Sequence, residues 1–162
     1  MTGIAGLHPG IAKLVPLLGN WAGRGSGEYP TIEAFGYTEE VRIGHTGKPF
    51  LTYSQRTRSD DGSPLHAETG YIRMPSADCV EFVIAHPTGI TEIDEGSVTF
   101  VERGLVLDLY STAVAGSASA KEVVAVARSI RVDGDELSYT LQMAAVGLPR
   151  QHHLSATLHR QS

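Results

Sequence analysis

The chain has 162 residues, of which 41% are hydrophobic and 19% are charged, and its formal net charge is −5. This composition is typical of one globular domain over residues 1–162 and excludes a disordered chain, because it supplies enough apolar side chains for a core. No segment carries a basic stripe, so we expect neither nucleic acid nor an anionic membrane surface as a partner.

Cys79 is the only cysteine of the sequence, and a lone thiol excludes several kinds of site. These are an intrachain disulfide, covalent haem attachment through a C-x-x-C-H motif, and four-cysteine zinc or iron–sulfur centres. Residues 1–18 lack the basic start and long apolar core of a signal peptide, and no apolar run reaches the roughly 18 residues of a membrane span. We therefore expect a cytoplasmic protein without a membrane segment.

The first predicted element is a short helix within Leu7–Leu18. Its apolar residues recur at helical spacing, at Leu7, Ile11, Leu14 and Leu18. Pro9 suits a first turn, and Pro16 limits the length of the helix. The pattern predicts one or two turns that lie across a larger element.

From Gly19 onward the sequence predicts β-strands, because β-branched and aromatic runs alternate with turn residues such as Asp60-Asp61-Gly62 and Asp133-Gly134. Residues 113–120, rich in Ala, Ser and Gly, are predicted to form a flexible loop. The predicted runs are Trp21–Tyr29, Phe35–Thr46, Phe50–Arg58, His66–Met74, Cys79–His86, Ile90–Ser97, Val98–Val101, Leu105–Ala113, Glu122–Val132, Leu137–Val146 and Gln151–Arg160.

About ten strands joined by short turns, with no crossover helices, indicate an all-β fold with antiparallel, up-and-down connections. A sandwich and a barrel both satisfy this pattern. We favour the barrel, since long strands that follow one another close readily and so remove the exposed sheet edges. A barrel of about this many strands is too wide for side chains alone to fill, and it therefore predicts a ligand cavity.

The histidines are the main candidates for chemistry. His66 and His86 are predicted at strand ends, where they would line a cavity or form hydrogen bonds at its rim, and their role stays open. Side chains alternate along a strand, so the neighbours His152 and His153 are predicted to face opposite sides of the last strand. Periodicity alone leaves the inward residue undecided and favours His152, which shares its face with Leu154 and other apolar residues.

Other reactive motifs are weak or missing in the sequence. There is no Gly-x-Ser-x-Gly elbow and no His-Glu-x-x-His zinc motif. The glycine-rich segment 19–27 lacks the Lys-Ser/Thr ending of a phosphate loop, so its glycines are expected to permit close approach of neighbouring backbone. The acidic run Glu92–Glu95 is expected to lie on a solvated strand face.

Several short motifs together resemble the nitrobindin family over about residues 7–160. The first is a Gly-x-Trp-x-Gly-x-Gly element formed by Gly19, Trp21, Gly23 and Gly25, followed by Tyr29-Pro30-Thr31-Ile32. The others occur in the same order as in the family: Tyr37-x-Glu39-Glu40, Gly47-x-Pro49-Phe50-Leu51, Glu68-x-Gly70-Tyr71-x-Arg73, Thr88-Gly89, Lys121-Glu122 and His153-Leu154-x-Ala156.

The resemblance implies a ten-stranded barrel similar to lipocalins and fatty-acid-binding proteins, with one haem b per chain near an open end. It implies His153 as the axial iron ligand, which overrides the parity preference for His152 and makes the face of Ser155 and Thr157 the lumen. It also implies Thr31 and Lys121 as haem-pocket residues. Family members are similar in keeping the iron ferric, binding nitric oxide and isomerising peroxynitrite to nitrate.

Three hypotheses follow for function. The first is a haem protein that binds nitric oxide and isomerises peroxynitrite. The second is a lipocalin-like carrier of a small apolar ligand without haem, and the third is a structural or partner-binding domain. The oligomeric state stays open, with a homodimer as one alternative. In each case we expect Trp21 to pack against the N-terminal helix or the barrel base.

Overall fold

The computed structural model describes residues 4–162 and arranges them as a closed barrel of ten antiparallel strands. Each strand pairs with its neighbour in the chain, and the first pairs with the last. The predicted all-β, up-and-down barrel is therefore confirmed. The strands are β1 Gly19–Tyr29, β2 Ile32–His45, β3 Leu51–Arg58, β4 Pro64–Ser76, β5 Cys79–His86, β6 Ile90–Val101, β7 Gly104–Gly116, β8 Val123–Asp133, β9 Glu136–Ala145 and β10 Gln151–Arg160.

The predicted N-terminal helix is present as a 3₁₀ helix over Pro9–Leu17. Its i→i+3 hydrogen bonds include Leu18 N to Val15 O at 3.0 Å. Pro16 lies inside the helix and has no N–H to donate, which disfavours continuous α-helical bonding. No helix among residues 4–162 is long and apolar enough to cross a membrane.

Part of the barrel interior is a packed apolar core that joins the helix to the strands. Its members include Leu14 from the helix and Phe82, Leu107 and Leu158 from the strands. Trp21 is fully buried, and its indole Nε1 donates to the carbonyl oxygen of Leu17 at 3.0 Å. The expected packing of Trp21 against the helix is confirmed.

Several strand bounds differ from the sequence prediction by a few residues, and two of the differences change a predicted element. The runs Ile90–Ser97 and Val98–Val101 form the single strand β6, because no turn residues interrupt the pairing of Ser97 and Val98 with β7. The predicted loop 113–120 is shorter, since β7 continues to Gly116 and pairs there with Ile90. Small side chains near the end of β7 do not prevent it from hydrogen bonding to a neighbouring strand.

The glycines of β1 let neighbouring groups approach the strand closely. Gly19 begins β1 with a φ of 141°, a conformation that favours glycine. A Cβ atom at Gly23 would overlap the carbonyl oxygen of Thr157 on β10, and one at Gly25 would overlap the ring of Tyr37 on β2. The structure thus supports the expected close approach in this segment.

Candidate functional site

The barrel encloses a cavity of about 700 Å³. Ligand-binding cavities in proteins typically measure about 300 to 1,000 Å³. Ile32, Leu65 and Val146 line the cavity with side chains that remain more than two-fifths exposed to solvent. The rim therefore presents apolar surface that a bulky apolar ligand would cover. Deeper apolar lining residues include Phe35, Leu141, Met143 and Leu154.

Thr31, Lys121 and His153, which sequence analysis selected, line this same cavity. Thr31 lies in the turn between β1 and β2, Lys121 precedes β8 and is exposed, and His153 belongs to β10. The fold brings together three side chains that are far apart in sequence. His152, the alternative to His153, is exposed and does not line the cavity.

A β-bulge explains why His153 reaches the cavity. In the pairing of β10 with β9, His152 faces Gln142 and Leu154 faces Leu141, so His153 is an extra residue without a direct partner. A bulge of this kind interrupts the alternation of side chains. His153 and Leu154, although adjacent, can therefore both line the cavity.

Beyond the bulge, the expectation that Ser155 and Thr157 face the lumen is wrong. Ala156 and Leu158 are buried in the core, whereas Thr157 is exposed. Ser155 lies near Ser26 of β1, with 3.5 Å between the two hydroxyl oxygens. The parity argument was correct for this part of β10, but it was wrong for His152 and His153, because the inserted residue shifts the alternation at the bulge.

The imidazole of His153 is held in one orientation. Its Nδ1 lies 2.9 Å from the carbonyl oxygen of Glu28, and its ring packs edge-on against Tyr29 at 5.4 Å between centroids. Because a carbonyl oxygen can only accept, Nδ1 carries the hydrogen and Nε2 keeps its lone pair. Burial is the main cause that lowers the pKa of His153, so the ring is neutral at pH 7. The geometry leaves Nε2 available to bind a metal.

The ring of Tyr29 that supports His153 is itself anchored. The hydroxyl of Tyr29 accepts from the backbone N–H of Ala145 at 2.9 Å and donates to the carbonyl oxygen of Met143 at 3.2 Å. These bonds connect the end of β1 to the end of β9 across β10. Both strands that flank β10, namely β1 and β9, therefore help to hold the ring of His153 in place.

A second part of the cavity wall is charged. Arg128 of β8 donates to Glu92 at 2.7 Å, to Asp94 at 3.1 Å and to Glu68 at 3.4 Å. Glu92 and Asp94 are only 3% and 0% exposed, so the expectation that the run Glu92–Glu95 is solvated is wrong for these two residues. The sequence could have indicated that Arg128 points inward, because it lies two residues after the buried Val126 and so on the same face of β8. The polar cluster is defined as these six residues: Glu68, Glu92, Asp94, Arg128, His66 and His86.

The two histidines of the polar cluster join its carboxylates. His86 Nε2 lies 2.6 Å from Glu92 Oε1, and His66 Nε2 lies 3.3 Å from Glu68 Oε1 and 3.2 Å from His86 Nδ1. Both histidines line the cavity and are partly buried. They are thus hydrogen-bonded cavity residues, which combines the two alternatives that the sequence left open.

The carboxyl groups of the polar cluster ionise unequally. Burial, reinforced by the neighbouring Glu92, raises the pKa of Asp94. Burial also opposes ionisation of Glu92 and Glu68, but Arg128 and the histidines outweigh it and lower the pKa of both groups. The raised pKa of Asp94 favours its protonated form beside the ionised carboxylates of Glu92 and Glu68.

Comparisons with known proteins agree with the fold and cavity. A family model described as "THAP4-like, heme-binding beta-barrel domain" matches residues 10–160. The chain is 60% identical over 155 residues to the peroxynitrite isomerase of Nocardia farcinica, covering 95% of this chain and 92% of that protein. It is 57% identical over 159 residues to peroxynitrite isomerase 2 of Mycobacterium marinum, covering 98% and 99%. The crystal structure of Rv2717c from M. tuberculosis is similar with a TM-score of 0.94 and 55% identity, covering 96% of this chain and 99% of that chain.

Proposed function

This chain belongs to the nitrobindin family of haem-binding β-barrels, and we propose that it holds one haem b through His153 and isomerises peroxynitrite to nitrate. The relatives from Nocardia farcinica and Mycobacterium marinum carry the name peroxynitrite isomerase and match this chain over nearly its full length. We also propose that the bound iron takes up nitric oxide and that the protein acts in the cytoplasm.

The observation that carries the proposal is the state of His153. A haem ligand must be neutral, must present a lone pair, and must be oriented by a partner on its other ring nitrogen. His153 meets all three conditions through its burial and its bond to the carbonyl of Glu28. The bulge in β10 places it on a cavity large enough for a bulky ligand.

The remaining cavity residues fit a porphyrin. The apolar rim formed by Ile32, Leu65 and Val146 would cover the faces and edges of the ring. Lys121 is an exposed cation at the same cavity and suits a carboxylate group of the haem. Thr31 offers a hydroxyl for a hydrogen bond beside the ring.

When bound, the haem supplies an iron centre at which the peroxynitrite anion can rearrange to nitrate. The chain itself supplies the conditions for this chemistry. His153 would hold the iron through the lone pair of its neutral Nε2, and the hydrogen bond from Nδ1 to the carbonyl of Glu28 keeps the hydrogen on the other ring nitrogen. Apolar residues such as Phe35 and Leu154 line the cavity and would limit the access of water to a bound ring.

An absorbance titration tests the haem ligand. Purified protein should develop a Soret band that saturates at one haem b per chain, and His153→Ala should lose stoichiometric binding or give an abnormal spectrum. His152→Ala is the matched control, since this neighbour is exposed, and it should behave like the wild type. Loss of the Soret band in His152→Ala alone would refute the assignment. Binding of a fatty acid with no Soret band in the wild type would favour the carrier.

The reaction is tested by stopped-flow mixing of the ferric protein with peroxynitrite. The decay of peroxynitrite should accelerate with protein concentration, and nitrate should account for the product. Addition of nitric oxide should shift the Soret band of the same sample. Decay no faster than in buffer, despite a normal Soret band, would leave haem binding in place and refute the isomerase.

A further inference from the structure

Three potential metal-ligand atoms of the polar cluster face one another: His66 Nε2, Glu68 Oε1 and His86 Nδ1. His66 Nε2 lies 3.2 Å from His86 Nδ1 and 3.3 Å from Glu68 Oε1, and the third distance, from His86 Nδ1 to Glu68 Oε1, is 3.8 Å. Ligand atoms of a tetrahedral zinc ion with bonds of about 2.0 Å are about 3.3 Å apart. The three atoms thus have nearly the spacing of three ligands to one ion.

The neighbours of these atoms are arranged as the outer partners of metal ligands are. His86 Nε2 donates to Glu92 Oε1 at 2.6 Å, which leaves the lone pair on His86 Nδ1. The second oxygen of Glu68, Oε2, accepts from the hydroxyl of Tyr53 at 3.0 Å and from Arg128 at 3.4 Å. Such hydrogen bonds orient ligating histidines and carboxylates and are a usual part of metal sites.

Charge and access also suit a cation. Of the three carboxyl groups around the guanidinium of Arg128, those of Glu68 and Glu92 are ionised, so negative charge exceeds positive charge among these four side chains. The side chains of Glu68 and His86 are 5% and 11% exposed, whereas that of His66 is 33% exposed. An ion arriving through the cavity would therefore meet His66 first and then the two deeper ligands.

We propose that His66, Glu68 and His86 bind one divalent first-row transition-metal ion, with a fourth position open to the cavity. Two imidazoles and one carboxylate with an open position form the ligand set of many catalytic zinc sites and of non-haem iron(II) sites. The ligands come from β4 and β5, and β5 lies five places from β10 in either direction around the ten-strand ring. This site is therefore separate from His153 and would face it across the cavity.

Zinc binding to the purified full-length protein tests the site. Calorimetric titration with Zn²⁺, and metal analysis after desalting, should give one Zn²⁺ per chain in the wild type and in His153→Ala. Stoichiometric Zn²⁺ should be lost in His66→Ala, which removes the most exposed ligand. His159→Ala is the control, because His159 is an exposed histidine of β10. It should retain the ion.

Anomalous diffraction at the zinc edge from Zn²⁺-soaked crystals gives an answer even if the His66 variant does not fold. A peak should lie about 2.0 to 2.2 Å from His66 Nε2, Glu68 Oε1 and His86 Nδ1. The proposal is overturned if there is no such peak, or if His66→Ala folds and retains Zn²⁺. It is also overturned if the ion is lost in His159→Ala or His153→Ala, which would assign it to other histidines. None of these outcomes depends on whether the protein isomerises peroxynitrite.

Discussion

Glu39 of β2 is a buried carboxyl group held by two neutral neighbours. The hydroxyl of Tyr139 donates to Oε1 at 2.6 Å, and the amide of Gln55 donates to Oε2 at 3.1 Å. Burial is the largest effect, and it raises the pKa of Glu39 from 4.5 to about 7 although these hydrogen bonds act against it. The folded protein thus binds a proton between these two pH values that the unfolded chain has already released.

This shift predicts how stability depends on pH. The contribution of Glu39 to the free energy of unfolding is fully present below pH 4.5 and is lost as the pH rises through about 7. The loss is no more than about 1.4 kcal/mol per pH unit. Glu39→Gln should remove this dependence, because the amide resembles the protonated acid and Gln55 Oε1 is free to accept from it. Urea unfolding should show the variant more stable than the wild type at pH 8, with a smaller difference at pH 5.

The exposed neighbour Glu40 provides the control for this measurement. Its carboxylate pairs with Arg56 at 2.7 Å on the barrel surface, where solvent screens the charges. Glu40→Gln should therefore change stability similarly at pH 5 and pH 8. An equal effect of Glu39→Gln at both pH values would show that the buried carboxyl does not change its protonation between them.

At the scale of elements, β1 closes the barrel by pairing with both β2 and β10. Gly23 faces Leu158 in this pairing, and a Cβ atom added at Gly23 would lie 2.8 Å from the Cα atom of Leu158. The obstruction is backbone, which cannot rotate away as a side chain can. The overlap could therefore be relieved only if β1 and β10 moved apart where they close the barrel.

We predict that Gly23→Ala destabilises the protein by about 1–3 kcal/mol in urea unfolding. The matched control is Gly36→Ala on the adjacent strand β2, where the nearest atom to an added Cβ is the Arg24 Nη2 at 3.5 Å. That variant should lie within about 0.5 kcal/mol of the wild type or be slightly more stable. Equal effects of the two substitutions would contradict the close approach of β1 and β10.

At the scale of the whole molecule, Arg128 links strands that are not neighbours. Its guanidinium connects β8 with Glu68 of β4 and with Glu92 and Asp94 of β6. The pKa values of Glu68 and Glu92 are lowered despite their burial, chiefly by this cation. Their stabilising contribution is therefore present above the unfolded value of 4.5 and is lost only in strong acid.

Arg128→Met should destabilise the protein by about 3–5 kcal/mol at pH 8, because buried carboxylates lose their cation. The loss should be smaller at pH 5, where these carboxyl groups can take up protons once the cation is gone. Urea unfolding at both pH values measures the difference. Arg131→Met, an exposed site on the same strand, is the control and should cost less than about 1 kcal/mol. Equal losses at both pH values would show that the carboxyl groups stay ionised in the variant.

Local sequence determined the order of the strands and their type. The turn residues Asp133 and Gly134 separate β8 from β9, and apolar alternation such as Leu105, Leu107 and Leu109 marks the core side of β7. These signals act between residues close in the chain, so they can be read without the fold. The motif around His153 further indicated the family and a haem, on the strength of resemblance.

Only the tertiary structure decided which side chains share the cavity. Alternation divides a strand into two faces, but the extra residue at His153 appears only in the pairing of β10 with β9. Likewise, the sequence predicted a solvated Glu92, but in the closed barrel Glu92 pairs with Arg128 and His86, which come from other strands. Charges and ligand atoms meet through long-range packing, and no local pattern in the sequence specifies those distances.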